Sequence, residues 1–215
     1  AIYLFGWRAL VMIGLMNIVG FLAEYAFVRD REPVSSAVFV TNTLFALSLP
    51  PTLPFGMALV GILVAVIFGK MVFGGFGRNI FNPALVGRAF IYITFAGAMN
   101  SQWQIPFTGW PGGFAHYSSP GPEAITQATP LRLAAAGEPV SLAPLFWGGV
   151  PGSLGETCAP LILLGGLYLL WRKAANFRIV LGAAGAMIVL QTLFGWAGLP
   201  RAIPPLQALA GGSFL

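Results

Sequence analysis

Gly74-Gly75-Phe76-Gly77-Arg78-Asn79-Ile80-Phe81-Asn82-Pro83-Ala84-Leu85-Val86-Gly87-Arg88-Ala89-Phe90 interrupts a sequence that is otherwise close to hydrocarbon. It lies between an apolar run ending near Phe73 and a second that continues to Ala98. In a soluble protein such a cluster of glycines, asparagines and arginines would be an ordinary surface loop. At membrane depth, irregular backbone persists only where protein or a cavity satisfies its polar groups. Broken helices of this kind often build binding sites, because their free N–H and C=O ends hold ligands or ions. A cytoplasmic turn followed by a helix with a polar first turn accounts for the same residues, and both readings stay open here. Asn79 and Asn82 are therefore helix-break or ion-path candidates.

The surrounding composition sets the class. Of 215 residues, 57% are hydrophobic and only 8% charged, where a soluble domain carries about 25% charged residues. Several apolar runs approach the ~20 residues needed to span a bilayer, so the expected fold is all-α: a polytopic transmembrane helical bundle with broken or half helices, embedded in lipid. The net charge of +5 is read as topology, because no basic stripe with interleaved aromatics suggests nucleic acid. Cys158 is the single cysteine and His116 the single histidine, which excludes an intrachain disulfide framework, a multi-cysteine metal site and a bis-histidine haem. Ala1 is not an initiator methionine, and residues 211–215 stop at the apparent start of another apolar segment. A single membrane domain over 1–215, part of a longer chain, is expected.

Going outward from the break, spans are expected at Trp7–Val28, Val34–Leu49, Phe55–Phe73, Asn82–Ala98, Leu154–Trp171 and Ile179–Trp196. The second is marginal in length, hydroxyl-rich (Ser35, Ser36, Thr41, Thr43) and closed by Pro50-Pro51, which suits a half-helix. Alternating the spans puts Arg29, Arg31, Lys70, Arg78, Arg172, Lys173 and Arg178 on one side, against Arg132 and Arg201 on the other. Basic residues concentrate on cytoplasmic loops. The long connection 99–151 is therefore expected outside, in the periplasm if the membrane is a bacterial inner membrane. Its aromatics (Trp103, Phe107, Trp110, Phe114, Tyr117, Trp147) fit an interfacial belt or a structured cap over a planar ligand.

Three polar features carry possible chemistry. Glu123-Ala124-Ile125-Thr126-Gln127-Ala128-Thr129-Pro130-Leu131 offers hydroxyls three residues apart, which an ST-turn or a helix start also explains. In Gly152-Ser153-Leu154-Gly155-Glu156-Thr157-Cys158, Ser153 and Glu156 have capping-box spacing, while a carboxylate near a membrane helix end equally suits an ion path. Glu24 sits inside the first span about one turn from its end, placed to pair with Arg29 or to contact an ion.

Four motifs occur in order: Leu44-Phe45-Ala46-Leu47-Ser48-Leu49-Pro50-Pro51-Thr52-Leu53-Pro54, Gly69-Lys70-Met71-Val72-Phe73-Gly74-Gly75, Arg78 to Phe90, and Gly152 to Thr157. Together they resemble the family of the B subunit of the sodium-translocating NADH:quinone oxidoreductase and the D subunit of the Rnf electron-transport complex, with the Gly-Arg-Ala-Phe ending and the Leu-Pro-Pro-Thr-Leu-Pro turn on the side of the B subunit. The resemblance covers about 29–197.

That resemblance implies a flavin-carrying membrane subunit of a respiratory translocase, passing electrons toward quinone with export of Na+ or H+. In the family FMN is esterified through its phosphate to a threonine in a motif close to Asp-x-x-Ser/Thr-Gly-Ala-Thr. The matching positions are Glu123, Thr126, Gln127, Ala128 and Thr129, which makes Thr129 the FMN acceptor, with Arg132 placed to partner the phosphate. Glu123 stands for aspartate and Gln127 for glycine. Met71 stands where the family often has glutamate. Riboflavin is a second cofactor that the resemblance leaves open. Implied partners are the other subunits, quinone and a flavin transferase for maturation. A Rnf-type D subunit, or a channel or transporter without redox chemistry, are the alternatives.

Overall fold

The computed structural model describes residues 1–28, 34–101, 103–107, 109–118 and 142–198. The chain divides into two compact units, one comprising Ala1–Thr126 with Ser153–Gly155 and the other Gln127–Gly152 with Glu156–Leu215. Among the described residues the secondary structure is helical, with a lone antiparallel bridge between Gly6 and Tyr117.

In the first unit a short α1 (Ile2–Phe5) ends at Gly6, whose φ of 77° turns the chain into α2 (Trp7–Val28). Then follow α3 (Ala37–Leu47), α4 (Phe55–Gly69), a 3-10 turn (Met71–Phe73), α5 (Pro83–Thr94) and α6 (Ala96–Ser101). The first expected span matches α2. Helix α3 has 11 residues, so at 1.5 Å per residue it is about 16 Å long, half the ~30 Å hydrocarbon thickness. Trp7–Val28 and Phe55–Phe73 are each long and apolar enough to cross a membrane, as is Phe177–Trp196 in the second unit. These spans make the chain a multi-pass membrane protein.

Helices α2, α3, α4 and α5 pack around Met12, Met16, Phe45, Ile62, Ala65, Val66 and Ile91, all fully or almost fully buried. Lipid tails are as apolar as leucine, so close backbone approach rather than hydrophobic exclusion holds such helices together. Gly87 provides it: a Cβ there would stand 2.6 Å from the Gly61 carbonyl oxygen and 2.7 Å from the Ala65 Cβ. Gly87→Val is expected to wedge α5 off α4 and to destabilise by about 1–3 kcal/mol, the usual cost of overpacking. A lowered unfolding midpoint of the detergent-purified protein is the readout, and an unchanged midpoint would contradict this packing.

The N-terminal segment is stitched to residues 103–118. The Phe107 N–H donates to the Leu4 carbonyl at 2.8 Å, the Trp7 indole N–H to the Phe114 carbonyl at 2.9 Å, and the Ser118 hydroxyl to the Phe5 carbonyl at 2.6 Å. Phe107 stacks on His116 with centroids 4.6 Å apart. Trp110 is 90% exposed.

One boundary expectation is corrected. The last motif does not open a helix at Leu154: the helix begins at Ala159, with Cys158 at its N-cap. Instead the Leu154 N–H donates to the Leu49 carbonyl at 3.2 Å and the Gly155 N–H to the Leu47 carbonyl at 2.9 Å. A helix leaves its last four carbonyls without internal partners, and this turn satisfies two acceptors at and just beyond the end of α3. With Ser153 and Leu154 buried in that role, the helix starts later.

The second unit holds α7 (Leu142–Trp147), α8 (Ala159–Trp171) and α9 (Phe177–Trp196). Cys158 is the residue before α8, without a side-chain cap, and Pro160 lies in the first turn, where a missing N–H costs nothing. Asn176 caps α9 by accepting from the Arg178 N–H at 3.0 Å.

Candidate functional site

The buried face of α2 carries Met12, Met16, Gly20 and Glu24 at intervals of four, one residue per turn on one side of the helix. The stripe ends in a carboxylate. Lys70 meets it from the break after α4, where φ −132° and ψ −57° take the backbone out of the helix. Lys70 Nζ donates to Glu24 Oε1 at 2.8 Å and Oε2 at 2.6 Å, with the two side chains 2% and 3% exposed. Desolvating both charges costs several kcal/mol per ion, which only close, multiply hydrogen-bonded geometry offsets. Glu24 thus has a partner 46 residues away that local spacing does not reveal. Arg29, the neighbour considered from sequence, lies outside the described residues.

The glycine cluster shapes the break that delivers Lys70. Gly74, Gly75 and Gly77 have φ of 99°, 94° and 80°, a region open to glycine and strained for other residues. The Gly75 N–H donates to the Lys70 carbonyl at 3.1 Å, closing the turn behind the lysine. Phe76 lies 5.8 Å from Lys70 Nζ by its ring centroid. Met71, where the resembling family often has glutamate, packs half-buried against the apolar core.

Asn82 caps α5, its Oδ1 accepting from the Ala84 N–H at 3.0 Å, with Pro83 in the first turn. That is the standard N-terminal pairing of a cap and a proline. Asn79 donates to the Phe81 carbonyl at 2.9 Å. Asn82 is exposed and Asn79 half-buried, so both serve the local turn, apart from the Glu24–Lys70 pair. Glu156 is half-buried in the second unit, three residues before α8. Glu123, Thr126, Gln127, Ala128, Thr129 and Arg132 lie outside the described residues.

Two features escape a reading of the sequence. Arg8, 4% exposed, donates to the Pro51 carbonyl at 3.2 Å and the Leu53 carbonyl at 2.8 Å, and its guanidinium sits 4.2 Å from the Phe55 ring centroid. It clamps the Leu-Pro-Pro-Thr-Leu-Pro turn by a cation–π contact and two carbonyl bonds. Asn17 and Asn42 meet inside the α2–α3 interface, where the Asn42 Nδ2 donates to the Asn17 carbonyl at 3.4 Å and the Asn17 Nδ2 to Thr43 Oγ1 at 3.2 Å. The available signal was an amide at the centre of an apolar span.

The model of the family described as NQR2, RnfD, RnfE matches residues 1–215. The chain is 37% identical over 208 residues to a protein of Klebsiella pneumoniae, covering 90% of this chain and 48% of the relative. It is 40% identical over 203 residues to one of Azotobacter vinelandii, covering 88% and 46%. It is 38% identical over 179 residues to one of Neisseria meningitidis serogroup B, covering 81% and 42%. All three relatives are named as the B subunit of the Na(+)-translocating NADH-quinone reductase. The chain spans about half the length of these curated relatives.

Proposed function

The chain belongs to the NQR2, RnfD, RnfE family, and from that premise we propose that it is the membrane part of a flavin-carrying subunit of an NADH-quinone reductase-type translocase, working with other subunits in a bacterial inner membrane. Electrons would pass toward quinone with transport of a cation, Na+ before H+. The observation that carries this reading is the match along the whole chain to a family whose similar members share one name. The buried Glu24–Lys70 pair supports the ion-translocating half, because ionisable side chains within membrane spans are costly and tend to mark ion pathways. Glu156 is a further carboxylate for such a path.

The flavin half rests on the residues that match the attachment motif. Thr129 supplies the hydroxyl oxygen for a phosphoester to FMN. Glu123, Thr126 and Ala128 fill the other motif positions, and Arg132 brings a guanidinium suited to a phosphate. FMN, when bound, supplies the redox chemistry. The chain's own residues hold the cofactor at one place on the membrane surface and keep it from diffusing away. Riboflavin is a second candidate, and a flavin transferase is the partner that maturation requires. Ultraviolet fluorescence of the denatured full-length subunit in a gel tests this half. Flavin that stays with the polypeptide is the expected result, and its absence overturns the redox role.

The orientation has its own test. With residues 99–151 in the periplasm, a cysteine replacing the 90% exposed Trp110 should react with an impermeant reagent on intact cells. A cysteine at Lys173 should react only after the cytoplasmic face is opened. The reverse pattern would invert the topology.

A further inference from the structure

We infer that the α2–α3 interface holds a small monovalent cation, bound by the side-chain oxygens of Asn17 and Asn42. This rests on the ion-translocating half of the proposed function and is independent of the flavin. Asn17 is the eleventh of the 22 residues of α2, about 15 Å from either end of the helix, so the site lies near the middle of a membrane span. Asn42 is fully buried there. Its amide lies directly over Gly20, where any Cβ would collide with it.

The donors of this cluster are engaged. Asn17 Nδ2 serves the Ile13 carbonyl at 2.9 Å and Thr43 Oγ1 at 3.2 Å, while Asn42 Nδ2 serves the Asn17 carbonyl at 3.4 Å. The acceptors are not. Asn17 Oδ1 and Asn42 Oδ1 are both buried and accept no hydrogen bond from any described residue. A buried amide oxygen without a partner costs of order 1–3 kcal/mol or more, and membrane interiors offer no bulk water to relieve it. Two such oxygens in one cluster, beside a Thr43 hydroxyl that keeps a free lone pair, make a concentrated negative potential.

Among the described residues, the buried cations are already engaged, Lys70 by Glu24 and Arg8 by the Pro51 and Leu53 carbonyls. The donor chemistry selects the ligand. Neutral amide and hydroxyl oxygens without a carboxylate suit a monovalent ion, whereas Ca2+ and Mg2+ sites draw on carboxylates. Weak neutral ligation also suits transit, because conduction needs a site an ion can leave. Glu24 is seven residues further along α2, about 10 Å away along its axis, with both carboxylate oxygens held by Lys70, so it is not a ligand of this site.

The experiment compares unfolding midpoints of the detergent-purified full-length subunit in NaCl and in choline chloride at equal ionic strength. Wild type should show a saturable rise in midpoint specific to the metal ion, since a ligand that binds only the folded state stabilises it. Asn42→Leu should raise the half-saturating Na+ concentration at least tenfold, and Asn42→Asp should lower it about tenfold. The double variant Glu24→Leu/Lys70→Met should keep the wild-type response, which separates this site from Glu24. Should Asn42→Leu fail to accumulate, Asn42→Asp decides alone, and an unchanged half-saturation overturns the inference. So does a wild-type protein with no ion-specific shift, or a response lost only with Glu24. None of these readouts uses flavin or quinone. A Thr129→Val subunit should respond like wild type, so failure of the redox reading and failure of the cation site remain distinguishable.

Discussion

Thr129→Val should abolish the covalent flavin proposed for the full-length subunit while leaving the protein inserted in the membrane. Valine keeps the branched shape of threonine and removes its hydroxyl, so the ester oxygen is lost with little change in volume. Denatured subunit should run in a gel without ultraviolet fluorescence, and the assembled complex should lose quinone-directed electron transfer. Thr126 is the internal control, three residues away with the same side chain, and Thr126→Val should keep a measurable label. A peptide map with FMN on Thr126 would move the acceptor. A mature wild-type subunit without flavin would point to Gln127, which stands where the family motif has glycine and adds bulk beside the acceptor. Gln127→Gly should then restore labelling.

Lys70→Met should be the most destabilising single substitution in the first unit, because it leaves the Glu24 carboxylate buried and unpaired at about 3% exposure. Breaking a buried pair in this way costs about 3–5 kcal/mol, while replacing both partners with apolar residues of similar volume is often neutral or better. Glu24→Leu should be comparably harmful, and Glu24→Leu/Lys70→Met should recover most of the unfolding midpoint. The double variant also separates structure from transport. Recovered stability with lost cation transport in the assembled complex would assign the pair to the ion path. Recovery of both would make it a clamp between α2 and the break after α4, and full stability of Lys70→Met alone would show that the charges are not desolvated.

The membrane class and the spans Trp7–Val28 and Phe55–Phe73 were legible because they depend on local composition, whereas the expected spans Asn82–Ala98 and Leu154–Trp171 are shorter helices, Pro83–Thr94 and Ala159–Trp171. A run of apolar residues has to avoid water wherever it sits, and Trp7–Val28 reads the same as a string and as a helix. The cap at Asn82 with Pro83 was legible for the same reason, since its bonds close within two residues. Less legible was the Ser153-to-Glu156 spacing, which carries the pattern of a capping box. The backbone of Leu154 and Gly155 is instead claimed by the carbonyls at the end of α3, more than 100 residues earlier in the chain.

By itself, then, the sequence determined the helical membrane class, the broken stretch at 70–82, the half-length of α3 and the membership carried by four ordered motifs. Each follows from hydropathy or short-range backbone chemistry. Only the tertiary structure decided that Glu24 meets Lys70, that Arg8 holds the proline turn, and that Asn42 meets Asn17 with both side-chain oxygens buried. Those pairings join residues 25 to 46 positions apart. They arise because lipid leaves a polar side chain no partner except the protein's own polar groups, and which one it meets depends on how the helices cross.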